Sequence, residues 1–309
     1  MALKDREPRI VVVGSSNRDL ALLCTELPQP GQTVRGAELQ ISAGGKGANQ
    51  AVAAARAGAA VGFIGLHGDD EWGEWARKGL EREGIDCRFF RQCSGVPSGV
   101  ALILIGGREK ENIIAVARSA NDELGAEDIE QAESLFAEAD LVVAQLEIPL
   151  GAVTAAAEMA GRFKIPFVLN PAPAAPLPAS LLRRVDTLVP NETEAETLTG
   201  EADPEQAAGA LLARGCRRVV LTLGAAGALL AEGDIIRRFP APAVQPVDTV
   251  GAGDCFMGWL AVELARGLTA SQAAAHAVAA ASLAVTRTGA QEAMPYRREV
   301  ERAVKRSRG

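Results

Sequence analysis

Residues 248–256 read Asp-Thr-Val-Gly-Ala-Gly-Asp-Cys-Phe, and an apolar run follows as far as Ala265. Gly251 and Gly253 flank the small Ala252, so no side chain keeps a ligand from the backbone. A helix is predicted to begin at about Gly253. Its first N–H groups lack partners within the helix and favour negative charge in front of them. Asp254 stands in that positive nook. It can take a proton from a hydroxyl while the N–H groups of Ala252, Gly253 and Asp254 hold a phosphoryl group beside it. The plainer alternative is an acid that serves only the helix dipole.

A second glycine-rich stretch, Ala43-Gly44-Gly45-Lys46-Gly47-Ala48-Asn49-Gln50, leads into a helix expected over Ala48 to Ala57. Its glycines bring backbone close to a ligand, and Lys46 supplies a movable charge. It is not a Walker A loop, because Gly47 follows the lysine where Ser or Thr is required. It is not the dinucleotide fingerprint either, since Gln50 occupies the third glycine position, and Phe256 breaks the same pattern in the later loop. Tight helix–sheet packing would explain the glycines, but not Lys46 or Asn49.

Other polar groups fall at expected strand ends. Ser15-Ser16-Asn17-Arg18-Asp19 follows the first strand, where ligands bind in open α/β sheets. Asn17 and Asp19 suit neighbouring hydroxyls, although an ordinary turn would use the same residues. Glu147 closes another strand. Asn191 and Glu194, three apart, share a helical face. They form either a capping box or a hold on the water shell of Mg²⁺. Thr222 and Gly224 lie where a strand end meets a phosphate or a nucleobase. Cys255 reads as packing, His67 and His276 as structural, with His276 a weaker candidate for the wall of a base pocket.

The elements that must position these groups alternate. Strands are predicted over Arg9 to Gly14, Val61 to Leu66, Leu141 to Leu146, Phe167 to Asn170, Thr187 to Val189 and Arg218 to Leu223. Helices are predicted over Asp70 to Glu83, Glu127 to Glu138, Leu150 to Arg162, Pro190 to Thr199 and Ser271 to Thr286, with a hairpin from Ala228 to Phe239 and a polar terminal helix. Such alternation implies a parallel sheet covered on both faces. Leu20 to Ile41, broken by Pro28, Pro30, Gly31 and Gly36, carries short alternating pieces at Thr33-Val34-Arg35 and Glu38 to Ile41. Gly99 to Ile105 and Asn112 to Ala117 add two strands around a Gly106-Gly107 turn. Together they form either a small lid sheet, over about 18–42 and 97–119, or an edge extension of the main sheet.

Composition narrows the classes. The 309 residues suffice for one large α/β domain, and 48% hydrophobic residues supply its core. A net charge of −7 with mixed signs argues against nucleic-acid binding. The five scattered cysteines form no CxxC pair, which points to reduced thiols and a cytoplasmic protein. Met1 to Pro8 is charged rather than apolar, and no run is long enough to span a bilayer.

Asn17-Arg18-Asp19, Gly44 to Asn49, Asn191 to Glu194 and Asp248 to Asp254 occur in an order that resembles the PfkB carbohydrate kinase family. The resemblance extends to Asn49 to Ala54, Asn170 to Ala174 and Val285 to Gln291, so it covers nearly the whole chain. It implies a single domain over 1–309, a three-layer α/β/α sandwich with a mostly parallel central sheet and a small β-sheet lid that also forms a homodimer contact. By the same resemblance, Asp254 is the catalytic base and Gly251, Ala252 and Gly253 form the anion hole. Asn17, Asp19, Gly45, Lys46, Asn49 and Glu147 line the sugar pocket. Asn191, Thr222, Gly224 and Gly227 surround ATP, with Asn191 and Glu194 tied to Mg²⁺. Asp248 and the carbonyls of Val250, Ala284, Arg287 and Gly289 match a monovalent-cation site, usually for K⁺. The sequence departs at Ala293, where relatives often place Ser, and at Val278, where some have Asn near the adenine.

The expected reaction is transfer of the γ-phosphoryl group of ATP to O5 of D-ribose. Deoxyribose, fructose or a nucleoside are the alternative acceptors. A non-catalytic sugar or nucleotide sensor would not need Asp254, and a dinucleotide-dependent oxidoreductase would need the glycine fingerprint that is broken here.

Overall fold

The β-branched run near the start of the chain forms β1 (Arg9–Val13), inside a nine-stranded sheet. The computed structural model describes residues 6–107 and 111–306. Residues 1–5 of the charged N-terminal segment and residues 108–110 of the lid connection lie outside the described residues. On one side β1 pairs in parallel with β4 (Ala60–Gly68), which pairs with the edge strand β5 (Asp86–Cys93). On the other side lie β8 (Leu141–Ala144), β9 (Phe167–Leu169), β10 (Thr187–Leu188) and β11 (Arg218–Thr222), all parallel. The antiparallel hairpin β12 (Ala228–Glu232) and β13 (Ile235–Phe239) completes the sheet.

Side chains alternate across β1, so one strand feeds two cores. Ile10 and Val12 join one with α1 (Lys46–Arg56), α9 (Ala252–Ala265) and α10 (Ala270–Ala284), and Leu80 of α2 (Glu71–Arg82) also packs there. Val11 and Val13 join the other. That face is covered by α3 (Ala126–Gln131), α4 (Glu133–Glu138), α5 (Leu150–Phe163), α6 (Ala179–Leu182), α7 (Glu192–Thr199) and α8 (Pro204–Ala213). The polar terminal helix is α11 (Arg297–Arg306). Three layers result, as expected.

A separate four-stranded sheet has the order β3 (Glu38–Gly44), β2 (Asn17–Leu23), β6 (Gly99–Gly106), β7 (Glu111–Ala117). It is a sheet of its own and not an edge extension. Its central pair is parallel and its outer pairs antiparallel.

Several local expectations need correction. Thr33-Val34-Arg35 is irregular rather than a strand, because the surrounding prolines and glycines interrupt pairing. The polar cluster after β1 is not a five-residue turn: Asn17 already begins β2. The helix expected over Glu127 to Glu138 breaks at Ala132, whose N–H bonds to the Ile129 carbonyl while its own carbonyl accepts from Leu135. β5 gave no clear signal, since Asp-Cys-Arg-Phe-Phe-Arg-Gln-Cys has no β-branched residue and lies at an exposed edge. Helix α1 begins two residues before Ala48, α9 begins at Ala252, and α10 runs from Ala270 to Ala284.

Candidate active site

The carboxyl ends of β1, β8 and β11 meet the N-termini of α1 and α9. Gly45 caps α1 with φ of 87°, and a Cβ there would come within 2.7 Å of the Asn17 amide nitrogen. Only glycine lets the loop cross so close to β2. Gly258 does the same between helices. A Cβ on it would meet the Ala53 Cβ at 2.5 Å and the Gln50 carbonyl at 2.8 Å. The two helices therefore touch backbone to backbone, and α1 presents Asn49 and Gln50 to Asp254, one turn before Gly258.

Asp254 is 7% exposed. Its Oδ2 accepts from Asn49 Nδ2 at 2.9 Å, and its Oδ1 accepts from Gln50 Nε2 at 3.0 Å. Gln291 Nε2 in turn donates to Asn49 Oδ1 at 3.1 Å. Burial pushes the Asp254 carboxyl above its ordinary value, while Lys46 and the two amides act against that rise. Lys46 lies in the same cavity. Burial would lower its pKa, but the carboxylates of Asp254, Glu147 and Glu194 outweigh burial and hold it above its ordinary value.

That cavity, of about 130 Å³, brings together Lys46, Asn191, Glu194, Thr222 and residues 251–254. Helix α9 is capped by Gly251 in the left-handed region (φ 73°), and the amides of Gly253 and Asp254 have no carbonyl partner among the described residues. A Cβ on Gly253 would meet nothing within 4 Å, so protein packing does not require glycine there. The open backbone cradle and the half-buried Lys46 ammonium fit a phosphoryl group.

Asn17 and Asp19 occupy one face of β2. Asn121 Nδ2 donates to Asn17 Oδ1 at 2.9 Å, and the Ser16 amide donates to Asn121 Oδ1 at 2.9 Å. Asp19 carries a pKa raised to about 7, first by burial and then by the nearby carboxylates of Glu147, Asp254 and Glu292. Glu147 Oε2 accepts from the Ser15 hydroxyl at 2.6 Å and from the Lys46 amide at 3.0 Å. Arg18 points to the other face of β2, with its guanidinium 3.9 Å from the Trp75 ring centroid, and anchors β2 to α2.

Asn191 and Glu194 do form a capping box. The Glu194 amide donates to Asn191 Oδ1 at 2.7 Å, and the Asn191 amide donates to Glu194 Oε2 at 2.9 Å. Both residues also face the cavity, so capping and ligand contact are compatible. Thr222 lines the cavity beside them and bridges to Asn191. Gly224 and Gly227 are not among its walls. Gly227 has a packing reason: a Cβ would sit 2.0 Å from the Phe239 carbonyl oxygen. The Asp248 carboxylate ties two loops, accepting from the Val250 amide at 3.0 Å and the Gly289 amide at 2.9 Å. The Ala284 carbonyl accepts from the Arg287 amide at 3.0 Å, and the Arg287 side chain pairs with Glu299. His276 is no base-pocket wall, since it pairs with Glu263 at 3.5 Å. His67 is buried against Phe90 and bonds the Gly68 carbonyl oxygen at 2.8 Å. Cys255 is fully buried, and burial drives its thiol well above the ordinary range, which makes it inert.

The pfkB family carbohydrate kinases match residues 7–297. The chain belongs to that family. A pfkB family member with this site has close relatives of known identity. The ribokinase of Haemophilus influenzae is 39% identical over 295 residues, covering 94% of this chain and 96% of the relative. The deoxyribokinase of Salmonella typhi is 36% identical, over 93% and 95% of the two chains. The structure of Arabidopsis thaliana ribokinase complexed with ribose and ATP superposes with a TM-score of 0.88 at 32% identity, covering 97% of this chain and 99% of that one. The pfkB fold thus accounts for both sheets and for the meeting of α1 and α9.

Residues that local sequence did not single out are Gln50, Asn121, Gln145 and Gln291. A glutamine amid the alanines and valine of α1 was the one visible hint.

Proposed function

We propose that this chain is an ATP-dependent ribokinase, transferring the γ-phosphoryl group of ATP to the O5 hydroxyl of D-ribose. One observation carries the reading. Asp254 is gripped by Asn49 and Gln50 from α1 while it walls the cavity that holds Gly253 and Lys46. A single carboxylate therefore belongs to the sugar side and the phosphate side at once.

In this reading Asn17, Asp19, Gly45, Asn49 and Glu147 orient the sugar. Asp254 takes the proton from the O5 hydroxyl as that oxygen attacks the phosphorus in line. The Ala252, Gly253 and Asp254 amides and the Lys46 ammonium balance charge on the transferring group. Asn191, Thr222, Gly224 and Gly227 hold the nucleotide. Asn191 and Glu194 would hold Mg²⁺ through water, and the ion would neutralise charge on the phosphates. Asp248 and the carbonyls of Val250, Ala284, Arg287 and Gly289 would hold K⁺, which would fix the loop in front of α9. Ala293, buried at 1% exposure, offers that ion no hydroxyl. The protein is a cytoplasmic homodimer through the lid sheet. Free cysteines throughout support the compartment, as does the lack of any helix among the described residues long and apolar enough to cross a membrane.

The deoxyribokinase relative, nearly as similar as the ribokinase, supports deoxyribose as the second reading. Asn17 and Asp19 on one strand face suit vicinal hydroxyls and favour ribose. A panel of ribose, deoxyribose, fructose and nucleosides with ATP and Mg²⁺, run with and without K⁺, tests the reading. Ribose should give the highest kcat/KM, and K⁺ should raise turnover. Asp254→Ala should lower kcat by about 10²-fold or more without unfolding the chain. Turnover of deoxyribose above ribose would transfer the assignment.

A further inference from the structure

A chain of buried and half-buried amides leads to Asp254. Gln50 is fully buried, and its Nε2 donates both to Asp254 Oδ1 and to Asn170 Oδ1, the latter at 3.1 Å. The orientation of Asn170 is fixed, because its Nδ2 donates to the Val189 carbonyl at 2.8 Å. Only its oxygen is left to accept. Gln50 must therefore turn its nitrogen toward Asn170 and Asp254, and its Oε1 accepts from Gln145 Nε2 at 2.7 Å. Asn170 and Gln50 each have one orientation that serves all of these contacts, while Gln145 Oε1 is buried with no partner among the described residues. Burying a glutamine in a helix of alanines is costly where an apolar side chain would pack freely.

We propose that Gln50 is a positioning residue for the catalytic base, with Gln145 holding Gln50 in turn. The proposal rests on the reading of Asp254 as that base. Gln50 fixes the plane of the carboxylate and sustains its ionised form. A proton on Oδ1 would face the Gln50 N–H and break that bond, so the bond favours the carboxylate. Asn49 grips the other oxygen, and the remaining lone pairs are left for the substrate hydroxyl.

The test is the pH dependence of kcat, at saturating sugar and ATP, for the wild type, Gln50→Met, Gln50→Glu and Gln145→Met, with Asp254→Asn as control. Loss of the Gln50 hydrogen bond should move the acidic limb of kcat upward by about one pH unit, an approximately tenfold loss below the limb that recovers at alkaline pH. Gln50→Glu sets a like charge against Asp254 and should move the limb further. Gln145→Met should move it the same way by less. A uniform loss at every pH, or a lowered Tm with the wild-type limb, would reduce Gln50 to packing and overturn the proposal. Should Gln50→Met fail to fold, Gln50→Glu keeps the shape of glutamine and decides by the same criterion. An active Asp254→Asn would instead remove the base reading itself, and an inactive one with unchanged Gln50 profiles would remove only this proposal.

Discussion

At the scale of single residues, the chemistry comes from carboxylates held where they are least comfortable. Asp19 shows the consequence for stability. Its pKa rises from 3.8 to about 7 on folding, so the folded state keeps a proton that the unfolded chain releases between those values. Stability from this group is complete below 3.8 and is lost as pH rises toward 7. Asp19→Asn should therefore raise Tm at pH 8 but leave it nearly unchanged at pH 4, while raising KM for ribose at least tenfold, on the order of a lost charged hydrogen bond. Thermal melts and sugar kinetics on the same preparation check both. An unchanged Tm at pH 8 would show that the carboxylate is solvated. Asp254 was legible in sequence because its signals are local: two glycines, a helix start and an acid within a few residues. Asn49 stood out in its glycine-rich stretch, but its contact with Asp254, and those of Gln50 and Gln145, did not, because the partners lie 95 to 205 residues away. Nothing near Gln50 or Gln145 announces the other. Asn191 and Glu194 were ambiguous in sequence for a different reason: the same two side chains cap a helix and face a cavity.

At the scale of elements, the decisive contact is the crossing of α1 and α9 at Gly258, beside Ala53 and Ala54. A methyl group there must displace backbone, since the Ala54 amide nitrogen would lie 2.9 Å away and the Gln50 carbonyl 2.8 Å. Gly258→Ala should thus push the helices apart, destabilise the fold by roughly 1–3 kcal/mol and lower kcat by more than its effect on KM. Denaturant unfolding and steady-state kinetics provide the check, and full activity at reduced stability would separate the helix contact from catalysis. Strand and helix order could be read from hydrophobic runs and their spacing, because both faces of the sheet demand apolar cover. β5 was missed because an edge strand needs no such pattern. The break at Ala132 left no trace either, as alanine favours helix on both sides of it.

At the scale of the whole molecule, the lid leaves an apolar face without cover. Leu39 and Ile41 of β3, Leu102 of β6 and Ile113 of β7 are 48–54% exposed, and the registers set them on the side away from Asn17 and Asp19. A second copy of this face is the proposed occupant. The protein should run as a dimer in sedimentation at micromolar concentration, and Ile41→Asp with Leu102→Asp should give a monomer of reduced activity. A monomeric wild type would exclude the lid as an interface. Val116, paired with Ala101 in the row that contains Asp19, is exposed on the inner side.

The grip on Asp254 has a temporal consequence. Asn49 and Gln50 leave the ribosome early, the acid itself much later, and Gln291, which steadies Asn49, later still. The hydrogen bonds that hold Asp254 therefore join an early segment of the chain to two late ones.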